Sequence, residues 1–225
     1  MAGKKNAGRT KRILALILLF GPAFTLIFIA TRGCNHKFKE LDDFGPAMKY
    51  EFTDAYGETH TYRDFSNQIV LVSVLQSNCL DSCSVSLWHL DQGIYQHIRK
   101  NKKKLGSVRM ISYVTDGEGN PVEDLSTVRS MMEDLIEEYD PEIWYIATGD
   151  VRSLYDFKNN NERLLHTGDE YYGGEAFQEL LLLLDRKNHL RMVLSGKSEG
   201  MIRRMKEHIA LLLKQYDKEK TSHEK

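Results

Sequence analysis

The chain has little proline, little cysteine and, over its first 32 residues, no acid. Four prolines and 16 glycines in 225 residues exclude a collagen-like or proline-rich disordered polymer. Three cysteines exclude a disulfide-dense scaffold. The body of the chain also lacks an excess of positive charge. Residues 1–32 carry six basic side chains, which leaves 25 basic and 32 acidic groups for the rest, a net of −7. Phosphate binding needs clustered cations, so no nucleic-acid partner is expected. What remains, 41% hydrophobic and 28% charged, is ordinary for a globular domain.

One long apolar run stands out. Ile13–Ala30 has no charged residue, and 18 helical residues at about 1.5 Å each reach roughly 27 Å, enough for a bilayer core. Five cations precede it and Arg32 follows, so the positive-inside rule puts residues 1–12 in the cytoplasm. A cleaved signal peptide would have a shorter apolar region and a small-x-small site, and Thr31-Arg32-Gly33 is a poor one. Lipoprotein processing at Cys34 is a third reading, and Arg32 fits it badly. The expectation is a cytoplasmic tail 1–12, a transmembrane anchor 13–31, a linker 32–47, a folded domain 48–217 and a charged tail 218–225. The location expected is a bacterial inner membrane, single-pass, with the domain in the periplasm, which permits disulfides.

Within the domain, Lys49–Thr53 and Thr59–Tyr62 flank a turn and predict a hairpin. Ile69–Leu75 and Val108–Val114 are β-branched apolar runs, the pattern of strands buried on both faces. Val85–Lys100, Leu125–Tyr139 and Glu199–Tyr216 have helical spacing, with Trp88 and Tyr95 beside the apolar face of the first. Ile143–Thr148 predicts a third strand, Val151–Phe157 a short helix, and residues 158–174 a long polar loop. Leu180–Leu184 and Leu190–Leu194 predict a late hairpin about the turn Asp185–Asn188. Strands alternating with helices imply a central mixed α/β sheet with flanking helices.

The chemistry is concentrated at Cys79-Leu80-Asp81-Ser82-Cys83, between a buried strand and a helix. Residues i and i+4 of a helix lie on one face, close enough for a disulfide or for two thiolates on one metal. A helix N-terminus lowers a thiol pKa and favours the thiolate. Cys34 stands alone in the linker and reads as a bystander or a lipidation site.

From Lys49 to about Tyr216 the sequence resembles the Sco/SenC family. The resemblance rests on the strand leading to Asn78-Cys79-Leu80-Asp81-Ser82-Cys83, on Ser112-Tyr113-Val114-Thr115-Asp116, on the late hairpin and on the N-terminal anchor. It implies a thioredoxin-like fold tethered to a membrane and a role in assembling the copper site of cytochrome oxidase. It also implies copper as the metal, with Cys79 and Cys83 as ligands together with a histidine. Counting back from Asp185, the family's histidine position falls on Phe177, which cannot ligate, and Ser84 stands where a proline usually follows the second cysteine. The chain therefore reads as a divergent member. His166, in the loop before Phe177, is the candidate third ligand, and His36, His60, His89, His97, His189, His208 and His223 read as structural or solvated. Met131, Met132, Met201 and Met205 read as helix core.

Two functions follow. One is copper-site assembly through Cys79 and Cys83 as Cu(I) ligands or as a dithiol reductant, the partner being the copper-site subunit of the oxidase or another dithiol protein. The alternative is a copper-independent thiol–disulfide oxidoreductase with other extracytoplasmic clients.

Overall fold

A computed structural model describes residues 6–33, 40–78, 87–159, 162–163 and 177–223. The chain forms two compact units, Met1–Lys39 and Glu40–Lys225.

The first unit is one helix, α1 (Asn6–Gly33), which begins earlier than the expected anchor and takes in basic residues. Pro22 lies inside it, and the Thr25 hydroxyl donates to the carbonyls of Gly21 and Pro22 at 2.8 and 2.9 Å. Its Leu, Ile and Phe side chains between positions 14 and 28 are exposed. Among the described residues no helix is long and apolar enough to cross a membrane. The segment expected as the anchor, residues 13–31, lies within this helix.

The second unit is built on a seven-stranded sheet. Its strands are β1 (Glu51–Asp54), β2 (Thr59–Thr61), β3 (Ile69–Gln76), β4 (Val108–Thr115), β5 (Trp144–Thr148), β8 (Leu180–Leu184) and β9 (Leu190–Ser195), in the spatial order β2-β1-β5-β4-β3-β8-β9. β3, β4 and β5 are parallel, and the pairs β1–β5, β1–β2, β3–β8 and β8–β9 are antiparallel. The five leucines of β8, any of which would suit a helix, form a strand because both of its faces are covered. Burying each contributes about 1.5–3 kcal/mol.

Alternation along β3 divides the core. Ile69, Leu71 and Leu75 face a layer of helices: α2 (Leu87–Leu90), a π-helical turn (Asp91–Tyr95), α3 (Gln96–Lys100), α4 (Lys102–Leu105), α5 (Ser126–Leu135) and α7 (Glu199–His223). Val70, Val72 and Val74 face Tyr50, Phe52 and Phe65 of the hairpin region and the helix α6 (Val151–Tyr155). Ser73 and Ser112, paired in register, bond to each other at 2.6 Å, and the Trp144 indole donates to Ser112 at 2.8 Å. This buried polar pair is thus satisfied inside the core.

Several expectations shift. The helix expected over Val85–Lys100 is described from Leu87 and contains the π-helical turn. A Cβ on Gly93 would stand 2.5 Å from the Ile202 side chain, so only glycine lets this turn meet α7 so closely. Trp88 is 63% exposed rather than packed. It follows Leu87 by one residue, about 100° around the helix, and Leu87 and Leu90 hold the inner face. The helix expected to run to Tyr139 ends at Leu135. Tertiary bonds take over its backbone there: the Tyr95 hydroxyl donates to the Glu138 carbonyl at 2.6 Å and accepts from the Asp140 amide at 2.7 Å. Within the expected loop 158–174, β6 (Lys158–Asn159) and β7 (Glu162–Arg163) form a small hairpin.

Residues 40–47, expected in a linker, lie against the late hairpin. The Phe44 amide donates to Leu190 and the Ala47 amide to Asn188. The Arg191 guanidinium donates to the carbonyls of Leu41 and Asp42 and pairs with the buried Asp185 carboxylate at 3.0 Å. The four methionines expected in helix core are placed so: Met132 and Met205 are buried, and Met131 and Met201 pack against the core.

Candidate functional site

Parallel strands deliver their following loops to one edge of a sheet. β3 and β4 end together at Gln76 and Thr115, and the Ser77 amide donates to the Thr115 carbonyl at 2.8 Å. The C-x-x-x-C segment starts from this edge, two residues beyond Ser77, and α2 begins at Leu87. Cys79 and Cys83 lie in 79–86 and His166 in 164–176, outside the described residues, as does Cys34. What the structure describes is the frame around the cysteine segment.

The first part of the frame is the turn after β4. The Asp116 carboxylate accepts from the amides of Glu118 and Asn120 at 2.9 and 2.8 Å and from the Asn120 side chain at 3.0 Å. The Asn120 side chain, followed by these backbone donors, holds the Asp116 carboxyl below its ordinary range. Gly119 has a φ of +81°, a conformation that suits glycine. A Cβ on Gly117 would stand 3.0 Å from the Asn78 side-chain nitrogen, which places Asn78, the residue before Cys79, against this turn.

The second part is Phe177, where the family resemblance implies a histidine. It opens a 3-10 turn (Phe177–Glu179) that leads into β8. Its ring is buried, meets Tyr155 edge-on at 5.6 Å and lies under the Arg152 guanidinium at 5.3 Å. A Cβ on Gly119 would stand 2.6 Å from the ring, so the ring occupies the space that glycine leaves open. Arg152 donates to the carbonyls of Gly119 and Glu118. The Gln178 amide donates to the Thr115 hydroxyl at 3.2 Å and the Asp116 carbonyl at 3.0 Å. Asn78 and Phe177 therefore touch the same short turn, 117–119, at the edge from which the cysteine segment starts.

Chemically, this frame presents amides, a cation, an aromatic face and the Asp116 carboxylate, which is engaged by its own turn. Phe177 offers no donor to a metal. Burial raises the Tyr155 phenol well above its ordinary range, and its hydroxyl donates to the Leu180 carbonyl at 2.8 Å, so it is neutral scaffolding. Of the histidines read as structural or solvated, His189 bonds to Asp43 and His60 to Asp54, while His208 is half-buried rather than solvated. Sequence reasoning missed the Arg152–Phe177–Gly119 stack. An arginine on a short helix and a glycine in a polar loop carry no signal of meeting, and only the aromatic residue at a ligand position hinted at a replacement.

No protein-family model and no curated protein matches the sequence. Solved structures do. BsSco, a member of the Sco family of cytochrome c oxidase assembly proteins, superposes with a TM-score of 0.55 at 13% identity, over 79% of this chain and 98% of that one. A SCO1/SenC family lipoprotein from Bacillus anthracis str. Ames gives 0.49 at 18% identity, over 73% and 95%. Bradyrhizobium japonicum ScoI with copper bound gives 0.46 at 18%, over 76% and 99%. Likeness at these identities is likeness of fold. The mixed α/β sheet with flanking helices described here is the thioredoxin-like Sco fold that the sequence resemblance implied.

Proposed function

We propose that this chain is a membrane-tethered thiol and copper protein that assists the copper site of a respiratory oxidase, with Cys79 and Cys83 as its working groups. The observation that carries the reading is the meeting of Asn78 and Phe177 on the turn 117–119. The residue before the C-x-x-x-C motif and the position where the resemblance expects a metal ligand thus border one short turn, which supports the reading. The fold shared with BsSco, a Sco-family assembly protein, supports it. The tether is the uncharged run Ile13–Ala30 within α1.

Two thiolates suit Cu(I), a soft ion content with few ligands. Phe177 does not fit a third-ligand role, which weakens copper holding and leaves dithiol chemistry intact. That chemistry balances as follows. The Cys79 thiolate attacks one sulfur of a client disulfide, forming a mixed disulfide and releasing the client's other sulfur as a thiolate. The Cys83 thiolate then attacks the Cys79 sulfur and releases the client's remaining thiolate. Two electrons pass to the client, and the chain is left with a Cys79–Cys83 disulfide. A client copper site with oxidised cysteines would be made ready for its metal in this way.

The aromatic residue at position 177 favours a second reading, a thiol–disulfide oxidoreductase that acts without copper on other extracytoplasmic clients. Cu(I) titration of the reduced chain separates the two, with Phe177→His and His166→Ala as companions. The first reading expects one weakly held Cu(I), tightened by Phe177→His. Absence of Cu(I) binding together with a reversible Cys79–Cys83 disulfide establishes the second.

A further inference from the structure

On the hairpin side of the sheet, β1, β2, the segment before β3 and the starts of β4 and β5 line a cleft of about 470 Å³. Asp54, Glu58 and His60 line it, and one donor atom from each lies within 4.8 Å of the other two. We propose that these three residues form a divalent-metal site of the Zn(II) class, separate from the cysteines.

The donors are held as ligands need to be. The His60 Nε2 stands 3.0 Å from the Asp54 Oδ2. Two donors on one tetrahedral ion, each about 2.1 Å from it, would stand about 3.4 Å apart, so an entering ion needs this pair to open by only a few tenths of an ångström. The imidazole is fixed by aromatic neighbours, Phe52 at 5.2 Å and Tyr145 at 5.1 Å between ring centres. The other Asp54 oxygen accepts from the amides of Tyr56 and Glu58, both at 2.9 Å, which turns Oδ2 toward His60. Such outer-shell bonds orient ligands and strengthen metal affinity.

Charge and unmet demand point the same way. Asp64 and Glu142 also line the cleft, so four carboxylates face it. The cation there, Arg109, donates to the carbonyls of Gly106 and Val108 at 2.7 and 3.0 Å. An independent sign comes from Gln68, which lines the same cleft: its amide oxygen is buried and has no hydrogen-bond donor. A metal-bound water donating to that oxygen would satisfy it.

One nitrogen and two carboxylate oxygens without a thiolate select against Cu(I) and for borderline divalent ions. Asp54 on β1 and His60 on β2 stand three and four strands away from β3 in the sheet, roughly 14 Å or more at about 4.8 Å per strand, so an ion held there is not held at the end of β3. The site therefore binds Zn(II) whether or not the cysteines are present.

The test is a Zn(II) titration of the full chain carrying Cys79→Ser and Cys83→Ser, read by metal stoichiometry and by competition with a chromophoric chelator. One Zn(II) per chain is expected. Adding His60→Gln should remove it, and adding Glu58→Gln, at an exposed position, should weaken it about 10-fold or more while the far-ultraviolet circular dichroism stays unchanged. The proposal is overturned if the cysteine-free chain takes up no Zn(II), or if uptake is untouched by both His60→Gln and Glu58→Gln. Neither result bears on the dithiol, which is absent from the protein tested.

Discussion

At the C-terminal ends of β3 and β4 the described side chains include an aromatic ring, amides, a guanidinium and the Asp116 carboxylate, whose oxygens are taken up by backbone amides and Asn120. On the β1–β2 hairpin at one edge of the sheet, a cleft gathers carboxylates around an imidazole. Parallel register builds the first region and an antiparallel hairpin the second, so the two differ in what their loops bring. The first region holds Phe177, which offers no metal donor, against a glycine turn. The cleft has oxygen and nitrogen donors and no sulfur. The two proposals thus assign a soft ion to the cysteines and a borderline ion to the hairpin.

The largest effect that sharpens this contrast is loss of the thiols. Cys79→Ser/Cys83→Ser should abolish the dithiothreitol-reducible disulfide, seen by alkylation and mass mapping, while Zn(II) uptake at the hairpin persists. In the wild type, Cys79 should be alkylated first, as the outer thiol of the motif. Faster labelling of Cys83, or a pair that cannot be oxidised, would remove the redox half of the comparison.

Next come the residues that close the first region. Phe177→Ala leaves a cavity beside Tyr155 and should cost about 3 kcal/mol in urea unfolding. Gly119→Ala places a methyl against that ring at a positive φ and should cost about 2 kcal/mol. If the two are coupled through the ring, the double variant will be milder than their sum. Strict additivity would mean that Phe177 and Gly119 do not share the space described.

A smaller effect is expected at Arg152. Arg152→Met keeps a flexible apolar stem but loses the cation over Phe177 and the bonds to Gly119 and Glu118, a change of about 1 kcal/mol. The smallest is a pH effect. Asp116 is held below its ordinary range by the Asn120 side chain and backbone amides; Asp43, despite burial acting against its charge, is also held low, by the His189 hydrogen bond and the Gly45 amide. A carboxyl lowered on folding contributes stability above its unfolded pKa of about 4 and loses it as pH falls through the folded value. Unfolding midpoints measured from pH 6 down to pH 3 should decline, and Asp116→Asn should flatten the decline. An unchanged slope in that variant would remove Asp116 from the account.

Much of the sheet was legible because its signals are local. Ile69–Leu75 and Val108–Val114 are apolar at every step but Ser73, Arg109 and Ser112, and covered strands read that way. The late hairpin was legible from Asp185–Asn188, where the Asp185 carboxylate accepts from the amides of Lys187 and His189. Features set by distant partners were not legible. The π-helical turn follows no sequence period, and Gly93 acquires meaning only against Ile202. Residues 40–47 read as a linker because their bonds to the late hairpin use backbone carbonyls and amides, which any sequence has. Of the site, the C-x-x-x-C motif and the odd Phe177 were visible in the sequence. The stack that holds Phe177 joins residues 119, 152 and 177, which no local pattern links. The Asp54–Glu58–His60 cluster was within reach, since a hairpin brings positions 54 and 60 together, but His60 alone gave no reason to look.

The reading of this chain as a soft-metal thiol protein is tested most directly by Cu(I) titration of the reduced full chain against its Cys79→Ser/Cys83→Ser variant, with a Cu(I)-specific competitor. One Cu(I) per chain in the wild type and none in the variant is the predicted result. Equal Cu(I) uptake by both would contradict it.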